Sequence, residues 1–344
     1  MSGLFDGLIG NRRVIELLER ELSTPVQAYL FIGPESVGKM AFAQRFAAGL
    51  LCPDSGDHGE DCRSCRLALA GTHPDLTVVE PEGATSIGVE QARSLVTRAS
   101  MAPIEASRSV FLIPEAGSMT EQASNALLKT LEEPLAEVTF LLIAESEDDF
   151  PATVGSRCRT IHLGRVPTPE LVAALTARGV DADQGESVAA VAGGRPGLAL
   201  SLMARPEVAR FRRMWLEIPG KVTPHPGDGQ RLASLVIEEL VPLVAKSVDT
   251  DLAKDKQERA RRRVEQSLLV SGLEILASWY TDSASLQMGG PVRNPDLSLN
   301  ELTEVTPRQA VRSADAALDA VIDIQGNLRR ELVLANLFSQ LGSR

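Results

Sequence analysis

YLFIGPESVGKMAF, residues 29–42, is the stretch on which the fold turns. Tyr29 to Ile32 are apolar enough for a buried strand, and Ala41 to Leu51 carry the pattern of a helix. Between them Gly33, Pro34, Glu35, Ser36, Val37, Gly38 and Lys39 have the spacing of a phosphate-binding loop, G-x-x-x-x-G-K. Small residues let backbone N–H groups turn inward around phosphate oxygens, the helix N-terminus adds partial positive charge, and the lysine reaches the outer phosphates. The next position ordinarily carries a hydroxyl that ligates Mg²⁺. Here it is Met40, which cannot hold a hard cation. ATP or ADP is therefore a candidate ligand of the loop, with no Mg²⁺ site expected beside it.

A second position points the same way. Ser109 to Ile113, SVFLI, predicts a buried strand that ends at Pro114-Glu115. In P-loop ATPases such a strand ends in an Asp that positions Mg²⁺, often followed by a Glu that activates water. Pro114 has neither a carboxylate nor a backbone donor. Two independent metal-handling positions are thus wrong for hydrolysis, which weighs more than either change alone.

Leu76 to Val79 and Val138 to Ala144 are further predicted strands. Residues 12–22, 89–97 and 119–134 predict helices, the last capped by Thr120 and stopped by Pro134. In the first of these Val14, Leu17, Leu18 and Leu22 share a face, which suits core packing or a nucleotide-base contact. Alternation of strands and helices from residue 29 to 163 predicts an α/β domain, a mostly parallel sheet with helices on both faces.

The chain has 344 residues, enough for two or three domains. It is 44% apolar, 24% charged and 4% aromatic, the composition of a helix-rich protein rather than a disordered or all-β one. A formal net charge of −11 argues against autonomous nucleic-acid binding, which needs a basic surface. No apolar run approaches membrane-spanning length, and MSGLFDGLIG lacks the order of a secretory signal, so the cytoplasm is the expected compartment and no membrane partner is expected.

Three of the four cysteines cluster in CPDSGDHGEDCRSC, residues 52–65, a loop-like insertion. Cys62 and Cys65 form a CxxC knuckle and Cys52 supplies a third thiolate, a set that suits a structural Zn²⁺. A tetrahedral ion needs a fourth ligand. His58 is the leading candidate, with Asp57, Asp61 and the distant Cys158 behind it; the alternative is a loop that keeps free thiols.

From Pro167 to Ala204 helical spacing is interrupted by GGRPG at 193–197. PGKVTPHPGDG, residues 219–229, reads as a linker. Residues 230–248, 263–282 and 307–341 predict helices, with the charged run KDKQERARRR at 254–263 read as a solvated face. Leu328, Leu332, Ala335 and Phe338 trace an apolar stripe near the end. No internal repeat is evident.

GPESVGK, the Cys-rich insertion, AGTHPDL, NALLKTLEEP and SRC occur in an order that resembles the bacterial DNA polymerase III clamp-loader subunits of the AAA+ superfamily. The resemblance covers roughly the first 200 residues well. It implies an AAA+-like P-loop domain over 1–166, a small helical lid over 167–210, a linker over 211–229 and an all-α collar over 230–344 through which subunits oligomerise. Met40 and Pro114-Glu115-Ala116 look like the non-hydrolysing delta-prime branch rather than the gamma/tau ATPase branch, the alternative being an active motor or a regulatory nucleotide-binding module. Arg157, in SRC, matches the arginine finger offered to ATP on a neighbouring subunit; read by itself it suits a surface ion pair. Cys158 beside it reads as a small buried residue. Arg195 lies near the position of a lid residue that senses phosphates, or serves a turn. The family's insertion usually holds Zn²⁺ with four cysteines, and Gly59 stands where one of them would be. The implied partners are the gamma/tau and delta subunits and, through the assembly, the sliding clamp and primed DNA.

Overall fold

Side chains alternate along β1 (Ala28–Ile32), so Tyr29 and Phe31 enter one apolar layer while Ala28, Leu30 and Ile32 enter another. A strand buried on both faces needs strand neighbours for its backbone groups. β1 finds them in β4 (Val138–Ala144) and β5 (Arg159–His162), and β2 (Leu76–Val78) and β3 (Ser109–Ile113) complete the sheet. All pairs are parallel, in the order β2-β3-β4-β1-β5. This computed structural model describes residues 3–56, 62–81, 86–132, 137–149, 151–203, 207–225, 227–247, 254–294 and 297–343.

The layer containing Tyr29 and Phe31 is covered by α1 (Arg12–Glu21), α2 (Lys39–Leu51) and α3 (Arg63–Leu69), which supply Leu18, Phe42, Phe46, Cys65 and Ala68. The opposite layer is covered by α4 (Val89–Ala99) and α5 (Glu121–Glu132) through Ala92, Leu95, Ala123, Leu127 and Leu131. A four-residue helix, α6 (Ala152–Gly155), precedes β5. The α/β class with helices on both faces is therefore the one observed. Thr120 caps α5 by accepting the Ala123 N–H at 3.2 Å; Pro134 lies outside the described residues. Two elements escaped the sequence reading. α3 occupies part of the insertion read as loop, and β5 has only Ile161 buried among its four residues.

The chain divides into two compact units, Met1–Pro167 and Thr168–Arg344. The second holds α7 (Thr168–Thr176), α8 (Ala182–Ala192), α9 (Pro196–Leu202), α10 (Glu207–Lys221), α11 (Asp228–Ser247), α12 (Lys254–Gln287), α13 (Leu299–Leu302), α14 (Pro307–Gln325) and α15 (Arg330–Gly342). α12 packs along α14, α11 along α15, and α8 and α10 both lean on α12. Residues 211–221, expected within a linker, are helical in α10. The charged run 254–263 is not a break between helices but the first turns of α12. In α15 the core face is Val333, Leu334, Leu337, Phe338 and Leu341, whereas Leu328 and Leu332, expected on that stripe, are exposed.

Trp215 of α10 is fully buried between Phe211 and Phe338, with ring centroids 6.3 Å from each. It fits because α12 carries Gly272 beneath it, where a Cβ would stand 2.0 Å from the indole. Backbone and aromatic ring thus touch directly. Gly272→Ala is expected to destabilise the second unit by about 1–3 kcal/mol through overpacking, read as a lowered urea midpoint with an unchanged slope; an unchanged midpoint would refute this packing account.

Candidate nucleotide loop and cysteine cluster

The loop between β1 and α2 is shaped by close approach. A Cβ at Gly33 would lie 2.1 Å from the Leu163 carbonyl oxygen, so only glycine fits where β1 passes the end of β5. Ser36 (φ 61°) and Gly38 (φ 104°) both take positive φ, which turns the chain into the N-terminus of α2. Val37 is buried in the core, while Pro34, Glu35 and Ser36 line the half-buried outer part. Lys39 is 9% exposed, and its ammonium donates to the carbonyls of Gly33 (2.5 Å) and Pro34 (2.9 Å). The lysine therefore sits on the loop from which it could reach a phosphate. Met40 is half-buried and packs against the apolar layer of α2 rather than presenting an oxygen to the loop.

Because the strands are parallel, the phosphate loop and Pro114-Glu115 emerge on the same edge of the sheet, after β1 and β3 respectively. Glu115 is half-buried at the start of a short 3₁₀ turn. Arg157 lies on the other edge. It precedes β5, whose first residue Arg159 is in register with Tyr29 at the start of β1. About 16 Å of strand separates that edge from the loop, at roughly 3.3 Å per residue. The Arg157 guanidinium donates to the Thr153 carbonyl (2.6 Å) and Ser156 Oγ (3.3 Å) and pairs with Glu132 of α5. Its side chain remains 33% exposed. Neighbouring Cys158 is packed against the core, and burial pushes its thiol up to about 12.

Arg195 has a different setting from the one expected of a phosphate sensor. It is 2% exposed within the second unit, and its guanidinium donates to the Ala192 carbonyl (2.9 Å) and to Ser271 Oγ, with Glu274 3.5 Å away. These contacts tie the turn between α8 and α9 to α12, which is a structural occupation.

Cys52 at the end of α2 and Cys62 and Cys65 at the start of α3 bring their sulfurs within 4.8 Å of one another, the one such cluster of potential metal ligands among the described residues. The Cys52 and Cys62 sulfurs are 3.9 Å apart. Two thiolates on a tetrahedral zinc ion stand about 3.8 Å apart, given Zn–S bonds near 2.3 Å. Burial works against charge on Cys62, yet donors from the Cys65 and Ser64 backbone and the flanking thiols hold its pKa below the ordinary thiol value. Burial and the neighbouring sulfurs push Cys65 the other way, as befits a thiol that loses its proton only to a metal. The donor set and its spacing fit zinc. His58, Asp57, Gly59 and Asp61 lie outside the described residues.

Sequence reasoning passed over two buried residues of AGTHPDL. His73 Nε2 meets Ser64 Oγ at 3.0 Å, between the knuckle cysteines, and burial lowers its pKa so that the neutral ring prevails. Asp75 accepts the N–H groups of Ile104, Glu105 and Ala106 at 2.5, 2.8 and 2.8 Å. Burial opposes its charge, but these donors outweigh it and hold the carboxyl below its ordinary value. A HxD pair following a helix was the available signal, but its partners lie some thirty residues away.

Residues 10–167 match the family model described as DNA polymerase III, delta subunit. Over 134 residues the chain is 42% identical to DNA polymerase III subunit delta' of Pseudomonas aeruginosa, covering 38% of this chain and 41% of that one. It is 36% identical over 152 residues to subunit delta' of Bacillus subtilis, covering 43% and 46%. It is also 37% identical over 164 residues to subunit tau of Salmonella typhimurium, covering 46% and 25%. The chain spans less than half the length of these curated relatives. Among solved structures, a gamma subunit-related protein of Thermotoga maritima aligns with a TM-score of 0.41 at 18% identity, over 96% of this chain and 99% of that one. Through residues 10–167, the chain is thus similar to the delta-prime subunits of DNA polymerase III.

Proposed function

We propose that this chain is a non-hydrolysing, delta-prime-like component of a DNA polymerase III clamp loader, and that it offers Arg157 to ATP held by a neighbouring subunit. The observation that carries the reading is the placement of Arg157 on the sheet edge opposite the phosphate loop, so that the guanidinium serves no phosphate bound in its own chain. A guanidinium aimed at a transferring phosphoryl group stabilises the charge that develops there. The chain's own loop supports the same reading: Lys39 can meet a phosphate, but Met40 and Pro114 leave no hydroxyl or carboxylate for Mg²⁺. Cys52, Cys62 and Cys65 would hold a structural zinc ion.

The proposed partners are the gamma/tau and delta subunits, with the sliding clamp and primed DNA reached through the assembly in the cytoplasm. The acidic balance of the chain suits DNA contact made by partners rather than alone. Among the described residues no helix is long and apolar enough to cross a membrane. The second unit offers a surface for assembly: Val311, Leu318 and Ile322 form an exposed apolar stripe on α14, and Leu328 and Leu332 are exposed just beyond it.

Three outcomes are expected. Arg157→Ala, in a complex reconstituted with gamma/tau and delta, leaves assembly intact and lowers clamp- and DNA-stimulated ATP turnover by on the order of 10³; unchanged turnover would remove the finger role. Calorimetry of the isolated chain finds ATP binding indifferent to Mg²⁺, whereas binding that tightens strongly with Mg²⁺ would favour an active gamma/tau-type motor. Ile322→Glu leaves the circular dichroism spectrum of the chain unchanged and weakens its incorporation into the complex, measured by size exclusion; full incorporation would move the interface off α14.

A further inference from the structure

Two routes of polar contacts lead from the cysteine cluster to one exposed loop. The first starts at Ser64, between Cys62 and Cys65. Its hydroxyl donates to the Leu51 carbonyl at 2.8 Å, on the last turn of α2 beside Cys52. The same oxygen meets His73 Nε2 at 3.0 Å. The other ring nitrogen, Nδ1, accepts the Asp75 N–H at 3.1 Å, so the neutral ring carries its proton on Nε2 and gives it to Ser64. Asp75, 4% exposed, then receives the three consecutive amides of Ile104, Glu105 and Ala106. The second route is shorter. Arg63, next to Cys62, pairs with Glu105 at 2.8 Å.

The loop at the end of these routes has little packing of its own. Met101, Ala102, Ile104 and Glu105 are all exposed, with Met101 at 59% and Ile104 at 74%. A segment with few apolar contacts owes its order to its polar anchors. The anchors in turn depend on where α3 lies. α3 has seven residues, too few to hold a helix by propensity alone, and its first residues meet the end of α2 through the three sulfurs and the Ser64 hydroxyl. An ion bound by Cys52, Cys62 and Cys65 would clamp those two helix ends together and keep Ser64 in reach of His73.

We propose that metal binding at Cys52, Cys62 and Cys65 orders the Met101–Ala106 loop through Ser64, His73 and Asp75, so that the exposed Met101 and Ile104 are held in one position only while the thiolates are liganded. The device rests on the zinc reading of the cluster and makes that ion more than a local staple: its effect is felt at a surface loop some forty residues along the chain. Ser64, His73 and Asp75 act as positioning residues, none of them a ligand.

The test is amide hydrogen exchange on the full chain, prepared with zinc and again after removal of zinc by a chelator, with metal content measured by elemental analysis. Removal is expected to speed exchange at Ile104, Glu105 and Ala106 by about tenfold, the effect of loosening one buried hydrogen-bond anchor, while amides of β1 and β4 keep their protection. Ser64→Ala is expected to retain zinc and to show the fast loop exchange with or without it. Where chelation unfolds the whole unit, zinc-loaded Ser64→Ala decides by itself, since its β1 and β4 amides report the fold. Equal loop exchange before and after removal, or zinc-loaded Ser64→Ala with loop exchange as slow as in the parent chain, would overturn the coupling. A chain that carries no zinc and takes up none from added zinc chloride would overturn the zinc reading instead.

Discussion

The close passage of Gly33 over the Leu163 carbonyl, with no room for a Cβ between them, fixes the phosphate loop against the exit of β5. It holds β1, an interior strand of the sheet, in register with its neighbour β5, and the parallel order then settles the rest of the first unit. Everything that follows a strand lies on one edge and everything that precedes a strand lies on the other. The phosphate loop and Pro114-Glu115 share the first edge; Arg157 and its partner Glu132 share the second. A single sheet thereby keeps the Lys39 loop and Arg157 about a strand's length apart. Within one chain such a separation keeps the arginine away from a ligand on its own loop. That is the physical ground of the role in trans proposed for Arg157.

The packing at the same edge accommodates Met40 and Pro114 without strain on the fold. Lys39 donates to the Gly33 and Pro34 carbonyls, so its ammonium has partners within the loop itself. Met40 packs into the apolar layer beneath α2, where a hydroxyl would add nothing to the core. At the end of β3, Pro114 closes a strand whose ladder bonds finish at Ile113 and so removes no pairing. Both residues are neutral or favourable to the fold, and in the proposed reading they bear only on hydrolysis.

How far the sequence could be read follows from where the forces are local. β1, β3 and β4 are continuous apolar runs covered on both faces, and their residue types alone declare them. β5 could not be declared this way, since RTIH becomes a strand only because β1 offers it a partner edge. Pro219 and Gly220 suggested a linker, yet α10 continues to Lys221 because Trp215 and Ile218 are buried and hold the helix in place against local propensity. The three cysteines were legible from spacing, as they sit at two adjacent helix ends. The Ser64–His73–Asp75 path was not, because its meaning depends on amides about thirty residues downstream. For Arg195 the sequence left a phosphate-sensing and a turn role open, since the partner that engages it, Ser271, lies 76 residues further on.

The two arginines singled out in the sequence show why a contact must be weighed as well as located. Both are paired. Arg195 is almost wholly buried between the α8–α9 turn and α12, and releasing a buried guanidinium from its partners costs about 3 kcal/mol or more. Such an arginine is a fixed strut, and reaching a phosphate would first require the helices around it to separate. Arg157 has a third of its side chain in solvent, and its pairing with Glu132 is of the exposed kind worth about 0–1 kcal/mol. Its other contacts, to the Thr153 carbonyl and Ser156 Oγ, are local and exposed as well. Of the two arginines, Arg157 is thus the one whose pairing costs little to exchange, which is the property the proposed role in trans requires.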